Sequence, residues 1–388
     1  EAIAAVLAPR FPVFRNYANY NGRYGLPIAL GRLKPAHRIA VLEMACDAFD
    51  EIRLLAQVCR PAVGVVTSVN QTHLAYLGSL ANVAQEKGQL IRSLPAGGTA
   101  ILNADDPWVR PMAELTAAGV ATFGRGAGAD VRADDVRVDG AGTSMTLRAG
   151  GRRYRAHLRL LGTHVAYAAA AAVAAGIAFD VPPTEAVEAL AELAPIPGRL
   201  NPLPAAAGAL ILDDTYNASP VSGMAALEAL AALPARRRIA VLGAMSDLGS
   251  YEGEGHRLVG ERAAGVVDLL AVKGEPARAF IRGAEAAGLP AERTIVAHTD
   301  DDIVRRLAGE LEPGTVVVVK GSQEARLEGV VKGLMAEPAR AEELLVRQNR
   351  GWQAIRPRLP GRPTWVEVDL EAIGANVRRL RAIVGPDV

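Results

Sequence analysis

The chain has 388 residues, half of them hydrophobic and 4% aromatic, and a formal net charge of +1. That length holds two or three domains, and the near-neutral balance argues against a nucleic-acid binder or an acidic interaction tail. Its two cysteines, Cys46 and Cys59, make neither a disulfide framework nor a zinc pattern, so a reducing cytoplasm is the expected compartment. There is no signal peptide and no apolar run of transmembrane length; the Ala-rich stretch 166–175 is too short, and no membrane insertion is expected.

The chain opens at Glu1 in what reads as the tail of a helix (1–7), which suggests a fragment. A loop rich in Asn, Tyr and Gly follows at 15–27. Residues 39–42 form a predicted strand ending at Glu43. Over 49–60, helical spacing puts Ile52, Leu55, Ala56 and Cys59 on one face, and Pro61 stops the helix. Residues 63–66 are the next buried strand, with Ser68, Asn70 and His73 beyond its end. A helix over 80–94 presents Val83, Leu90, Ile91 and Leu94, and Lys87 falls on that same apolar face. A lysine there must snorkel, pair or be chemically altered. Residues 99–102 form a strand followed by Asn103, Asp105 and Asp106. Three successive strands thus carry polar groups just past their C-terminal ends, where open α/β sheets bind ligands.

Residues 130–161 alternate and turn at glycines, as antiparallel hairpins do, an excursion from the α/β pattern. Helices are expected at 164–177 and 184–193, and 195–199 reads as a domain boundary. A second α/β unit follows, with strands at 210–212, 239–242, 269–272, 294–296 and 316–319, which implies a parallel, doubly wound sheet. Residues 337–363 read as a helix tail and linker, and 364–384 as a strand and helix outside that sheet.

Three groups carry candidate chemistry. Glu43 and His73, at adjacent strand ends, can both reach a hard cation that bridges phosphates, with Lys87, Asn103, Asp105 and Asp106 nearby. Alone, His73 reads as an ordinary core or surface histidine, and Lys87 as a snorkelling lysine. The second group is Arg199 with Asp213, Asp214, Tyr216 and Asn217 in the stretch ILDDTYNASP (211–220); this is equally a helix-capping turn beside a solvated hinge arginine. The third is Lys320, Gly321 and Ser322 at the end of a valine-rich strand, suited to an anionic group or to an ordinary turn. The loop 242–249 has two glycines but no Gly-Lys-Ser/Thr ending, and no P-loop occurs in the chain.

Taken in order, NYNGRYGLP (19–27), EMACDAFDEI (43–52), THLAYLGS (72–79), AQEKGQL (84–90), LNADDP (102–107), PGRL (197–200), DDTYNASP (213–220), LGAMSDLG (242–249) and KGS (320–322) resemble the Mur ligases, ATP-dependent amide-forming enzymes of peptidoglycan synthesis. DDTYNASP favours the members that add D-alanyl-D-alanine to UDP-N-acetylmuramoyl-tripeptide. The resemblance implies an α/β fold: a central ATPase domain at 1–196, with a parallel sheet and a small antiparallel excursion, and a Rossmann-like C-terminal domain at 197–340. It implies Glu43 and His73 as Mg²⁺ ligands, and Lys87 as a carbamylated lysine that places a second Mg²⁺. Asn103 and Asp106 would border ATP, Arg199 would meet its terminal phosphate, and Asp214 and Tyr216 would lie on the nucleotide side. Asn217, Lys320 and Ser322 would face the amino component or the acyl phosphate.

The departures are specific. The family's phosphate-binding loop is expected before Glu1, with the domain that grips the UDP-sugar, so the chain alone is expected to be inactive. The His-Asn…Asn pattern reads here as His164-Val165…Ala168, the Asp of LGDM is Ala244, and the Arg after KGS is Gln323. Another substrate of the same ligase type, or a non-catalytic module, would also fit these losses. The tail TWVEVDLEAIGANVRRLRAIVG (364–385) resembles the start of an alanine racemase barrel, with 341–363 as linker. A fused racemase would hold pyridoxal phosphate (PLP) beyond Val388, and such a domain would be a site of dimerisation.

Overall fold

The computed structural model describes residues 1–274 and 277–348, with Ala375, Arg378 and Arg379 as isolated positions beyond them. The chain divides into two compact units, Glu1–Ile355 and Arg356–Val388, and the sheets described here belong to the first. The expected strand at 364–370 and the racemase-like resemblance lie outside the described residues, apart from those three positions.

The first half opens with α1 (Ala2–Leu7), β1 (Val13–Arg15), α2 (Gly25–Leu30), β2 (Ile39–Val41) and α3 (Glu51–Cys59). Then come β3 (Val63–Val66), α4 (Leu74–Leu77), α5 (Leu80–Arg92), β4 (Thr99–Asn103) and β5 (Gly119–Gly124). The hairpin strands β6 (Val131–Asp139), β7 (Gly142–Ala149) and β8 (Arg152–Leu158) follow, then α6 (Val165–Ala178) and α7 (Pro183–Ala191). β1 and β2 pair as a parallel ribbon. The main sheet runs β3-β4-β5-β6-β7-β8. β3 to β6 are parallel and β6 to β8 antiparallel, so the hairpins extend this sheet instead of leaving it. β5, unmarked in the sequence reading, is the join. Alternation along β4 explains the two-sided core: Ile101 faces the α6 side, while Ala100 and Leu102 face α3 and α5. The alanines of α6 let it lie flat against the sheet, and ten of its 14 residues are buried.

The second half contains β9 (Asn201–Pro204), β10 (Leu210–Asp214), α8 (Pro220–Ala232), β11 (Arg237–Gly243), α9 (Glu252–Ala264), β12 (Leu269–Lys273) and α10 (Arg278–Ala286). It continues with β13 (Thr294–Ala297), α11 (Asp300–Ala308), β14 (Thr315–Lys320), α12 (Glu328–Leu334) and α13 (Ala341–Leu344). Strand order is β13-β12-β11-β14-β10-β9, parallel except for the antiparallel edge strand β9. Leu212, Leu242 and Val318 face α8, α9 and α10, whereas Ile211, Val241 and Val319 face α11 and α12. The expected doubly wound sheet is therefore present. The expected linker does not begin at 341: Ala341 and Leu345 are buried in the second of these cores. Among the described residues, no helix is long and apolar enough to cross a membrane.

Candidate functional site

β10 and β14 are neighbours, and their register sets Asp214 opposite Lys320. Lys320 Nζ donates to Asp214 Oδ2 at 2.7 Å and to the Asn217 carbonyl at 2.8 Å. Both charged side chains are buried. Burial pushes the Lys320 ammonium down, and the Asp214 carboxylate draws it back up. Asp213 is also buried and accepts from Thr215 Oγ1, at 2.6 Å, and from the Gly198 N–H, at 2.9 Å; burial nevertheless raises it to about 6. These bonds dock the 197–200 turn onto the end of β10. Tyr216 N–H then donates to Gly198 O at 3.1 Å, and the Leu200 N–H to Asp214 Oδ1 at 3.2 Å. Gly198 has φ +71°, and a Cβ there would lie 3.1 Å from Tyr216 Cβ, so the turn requires glycine. Arg199 is exposed, its guanidinium 4.0 Å above the Tyr216 ring. Asn217 is exposed as well, while Ser219 and Ser222 cap α8 reciprocally behind Pro220.

Asp214 and Lys320 thus turn to each other, and Arg199, Tyr216 and Asn217 form the open surface they support. Ser322 is buried, accepting from Ser246 Oγ at 2.9 Å and donating its N–H to Ala244 O at 3.0 Å, which joins the KGS and LGAMSDLG loops. The latter loop is anchored by His256, which the sequence reading passed over. The Met245 N–H donates to its Nε2 at 2.8 Å, and Nδ1 donates to Glu252 O at 2.6 Å. The signal was present: His256, Val259 and Ala263 share the buried stripe of α9.

Both His256 nitrogens are engaged as a neutral ring, and burial lowers its pKa. Below the ordinary value of about 6.5 the unfolded chain takes up a proton that the folded chain refuses. The stability due to this group is present above that pH and lost as pH falls through it. His256→Gln is expected to flatten the fall in denaturation midpoint between pH 6.5 and 5.5; an unchanged slope would refute the assignment.

In the first half, Glu43 is exposed past β2, with Asn21 Nδ2 donating to its Oε1 at 2.7 Å. His73 sits at φ +56° before α4; its Nδ1 is buried without a hydrogen-bond partner, with Asp247 Oδ2 at 3.9 Å. Lys87 reaches from α5 to the Ser68 carbonyl at 2.8 Å, and burial lowers its pKa. The Glu43 carboxylate and the orphaned His73 nitrogen have chemistry that suits a divalent cation completed by phosphate oxygens, whereas an unmodified Lys87 ammonium is a cation and no ligand. Among the described residues, no three His, Cys, Asp or Glu side chains gather as a metal cluster. Asn103 and Asp106, expected on the nucleotide side, are both bonded within the loops past β3 and β4. Asn103 donates to Thr67 O at 2.8 Å and accepts from the Asp105 N–H at 3.0 Å, tying β3 to β4. Asp106 accepts from the N–H groups of Val69, Trp108 and Val109, so both its oxygens hold the loop. Glu86, unmarked in the sequence reading, is buried and caps the start of α3 through the N–H groups of Asp50 and Ile52.

The two halves meet at Asp247. The Ala75 N–H donates to Asp247 O at 3.0 Å, the Asp247 carboxylate raises the pKa of the exposed Tyr76, and a Cβ on Gly249 would lie 3.1 Å from Ala75 Cα. This brings the LGAMSDLG loop of the second sheet against the His73 loop of the first. His164, before α6, lies in the field of Asp214, Lys320, Glu228 and Arg199 from the second half, although the surrounding protein lowers its pKa.

Comparison with known proteins places this geometry. The Mur ligase middle domain family matches residues 2–176, and the Mur ligase, glutamate ligase domain family matches 198–323. The chain is 34% identical over 358 residues to UDP-N-acetylmuramoyl-tripeptide--D-alanyl-D-alanine ligase of Mycobacterium tuberculosis (strain ATCC 25618 / H37Rv), covering 87% of this chain and 70% of that one. It is 34% identical over 340 residues to the enzyme of the same name from Escherichia coli (strain K12), covering 86% and 73%. The crystal structure of MurF ligase from Thermotoga maritima in complex with ADP aligns with a TM-score of 0.77 at 28% identity, over 88% of this chain and 77% of that one. MurF from Acinetobacter baumannii aligns at 0.78 and 24%, over 85% and 72%, a likeness of fold.

Proposed function

Because the chain belongs to the Mur ligase family of ATP-dependent amide-forming enzymes, we propose that it joins D-alanyl-D-alanine to UDP-N-acetylmuramoyl-tripeptide in the cytoplasm, for peptidoglycan precursor synthesis. The observation that carries the reading is the strand-end surface of Arg199, Tyr216 and Asn217, held by Asp213, Asp214 and Lys320, in a chain whose loop 244–249 docks on His73. In the proposed first step a carboxylate oxygen of the tripeptide attacks the terminal phosphorus of ATP, the bond to ADP breaks, and an acyl phosphate forms. In the second, the amine of D-alanyl-D-alanine attacks the acyl carbon, phosphate leaves, and the amine gives up a proton.

Glu43 and His73 would hold Mg²⁺, which supplies charge neutralisation on the phosphates. Lys87, its amine made easier to deprotonate by burial, adds CO₂ to give a carbamate and a proton, and turns from cation to anionic ligand. Arg199 meets the charge on the transferred phosphoryl group, and Tyr216 orients it and flanks the nucleotide. Asn217 is placed to receive the amino component. Asp214, Lys320 and Ser322 act from beneath, keeping Asn217 and the KGS loop in place; Asn103 and Asp106 shape the nucleotide side through backbone. The racemase continuation, with PLP chemistry and dimerisation in that portion, belongs to the same proposal and is tested by alanine racemisation in the longer gene product.

The test is phosphate release with ATP, Mg²⁺ and UDP-N-acetylmuramoyl-tripeptide. Release is expected to require D-alanyl-D-alanine and to yield a product heavier by that dipeptide. Equal release with a single amino acid would overturn the substrate assignment, and no release from the full-length gene product would overturn the ligase reading.

A further inference from the structure

We propose that Arg347 is a positioning residue for phosphoryl transfer, holding the 215–216 turn so that Tyr216 presents Arg199 to the reacting phosphate. The inference rests on the ligase reading above. Arg347 follows α13 with φ +56°, and its side chain reaches the turn that follows β10. Nη1 donates to Tyr216 O at 3.0 Å, Nη2 donates to Thr215 O, and Nε pairs with the Glu328 carboxylate. Both ionic side chains are buried, 9% and 7% exposed, so water does not compete for these bonds. The planar guanidinium makes all three at once, which a lysine ammonium, a point charge on a flexible stem, cannot do in the same geometry.

The placement couples the pieces of the site. Glu328 opens α12, the helix that follows the KGS loop. Thr215 and Tyr216 are the turn that the second acid of β10 leads into. Val346 Cγ1 would lie 3.2 Å from a Cβ on Gly198, so the same segment packs against the turn that carries Arg199. The Tyr216 ring therefore lies near two guanidinium groups, Arg199 at 4.0 Å and Arg347 at 5.7 Å, one outside and one buried. The Thr215 hydroxyl is already bound to Asp213, so the turn is gripped on its side chain by one residue and on its carbonyls by another. Without Arg347 those carbonyls and Glu328 lose their donor, and the platform under Arg199 loosens.

In the full-length gene product, Arg347→Met is expected to lower kcat about tenfold to a hundredfold, as misplacement of a charge-stabilising group does. KM for D-alanyl-D-alanine should stay within about twofold, because Asn217 is anchored separately by Lys320. Arg347→Lys should recover little, and millimolar guanidinium ion should restore part of kcat to Arg347→Gly but none to Arg199→Ala. Amide hydrogen exchange at Thr215–Asn217 should quicken in each Arg347 variant, a readout independent of turnover. If Arg347→Met does not fold, Arg347→Lys carries the test. Wild-type kinetics and unchanged exchange in Arg347→Lys would overturn the inference and leave the ligase reading intact. Quickened exchange in the Arg347 variants, with no ligase activity in the full-length parent, would overturn the ligase reading and leave the holding role of Arg347 standing.

Discussion

Replacing Lys87 by alanine in the full-length gene product is expected to lower turnover by about two to three orders of magnitude, the scale seen when one preorganised charge-stabilising group is removed. The side chain runs from the apolar face of α5 to the Ser68 carbonyl, at the mouth of the loop that carries His73. Burial disfavours its charged form, which favours the free amine that CO₂ addition needs. Alanine removes the amine and with it the anionic ligand that the proposed chemistry places there. Stability should change by only about 1 kcal/mol, since a single hydrogen bond to a carbonyl is lost. Short carboxylates such as formate should restore part of the activity by standing in for the carbamate. Full activity in Lys87→Ala, with no dependence on bicarbonate in the parent, would sink the proposed role.

The second large effect is on stability. Asp214→Ala strands the Lys320 ammonium in a site where, among the described residues, it keeps the Asn217 carbonyl as its acceptor. Leaving one partner of a buried ion pair uncompensated costs about 3–5 kcal/mol. The double variant Asp214→Ala/Lys320→Met removes the orphaned charge and should recover most of that loss, although the Asn217 carbonyl goes unpaired and activity stays low. Denaturant midpoints of the single and double variants decide the matter. If the single variant is as stable as the parent, Asp214 and Lys320 do not behave as a buried pair.

Periodicity made much of the architecture legible. The five parallel strands of the second half and the helices between them follow from short apolar runs bounded by turns, and all are present. β1, β5 and β9 escaped because none is a clean apolar run: β1 is three residues long and ends in Arg15, β5 is exposed along its first residues, and β9 is a Pro-containing edge strand. The hairpins alternate as expected, yet their sequence does not say which sheet they join; that is decided by the parallel pairing of Phe123 and Gly124 with β6. At the site, DDTYNASP marked the right turn, but residue type alone could not divide its groups into buried supports and exposed contacts. Asp213, Asp214, Lys320 and Ser322 are supports, and Arg199, Tyr216 and Asn217 are the surface.

What the sequence by itself determined is the order of elements and the rule that polar groups gather past the carboxyl ends of strands. Local patterning suffices for this, because side-chain period and turn chemistry are properties of neighbouring residues. Only the tertiary structure decided which of those groups meet. Lys320 finds Asp214 across 106 positions because β14 lies beside β10, and Arg347 finds Thr215 across 132 because the chain after α13 folds back under the sheet. Such pairings are set by strand order and by burial, which removes competing water and makes each charge seek the one partner in reach. ILDDTYNASP is thus a strand end and turn by its own sequence, and a supported site surface by virtue of residues far from it.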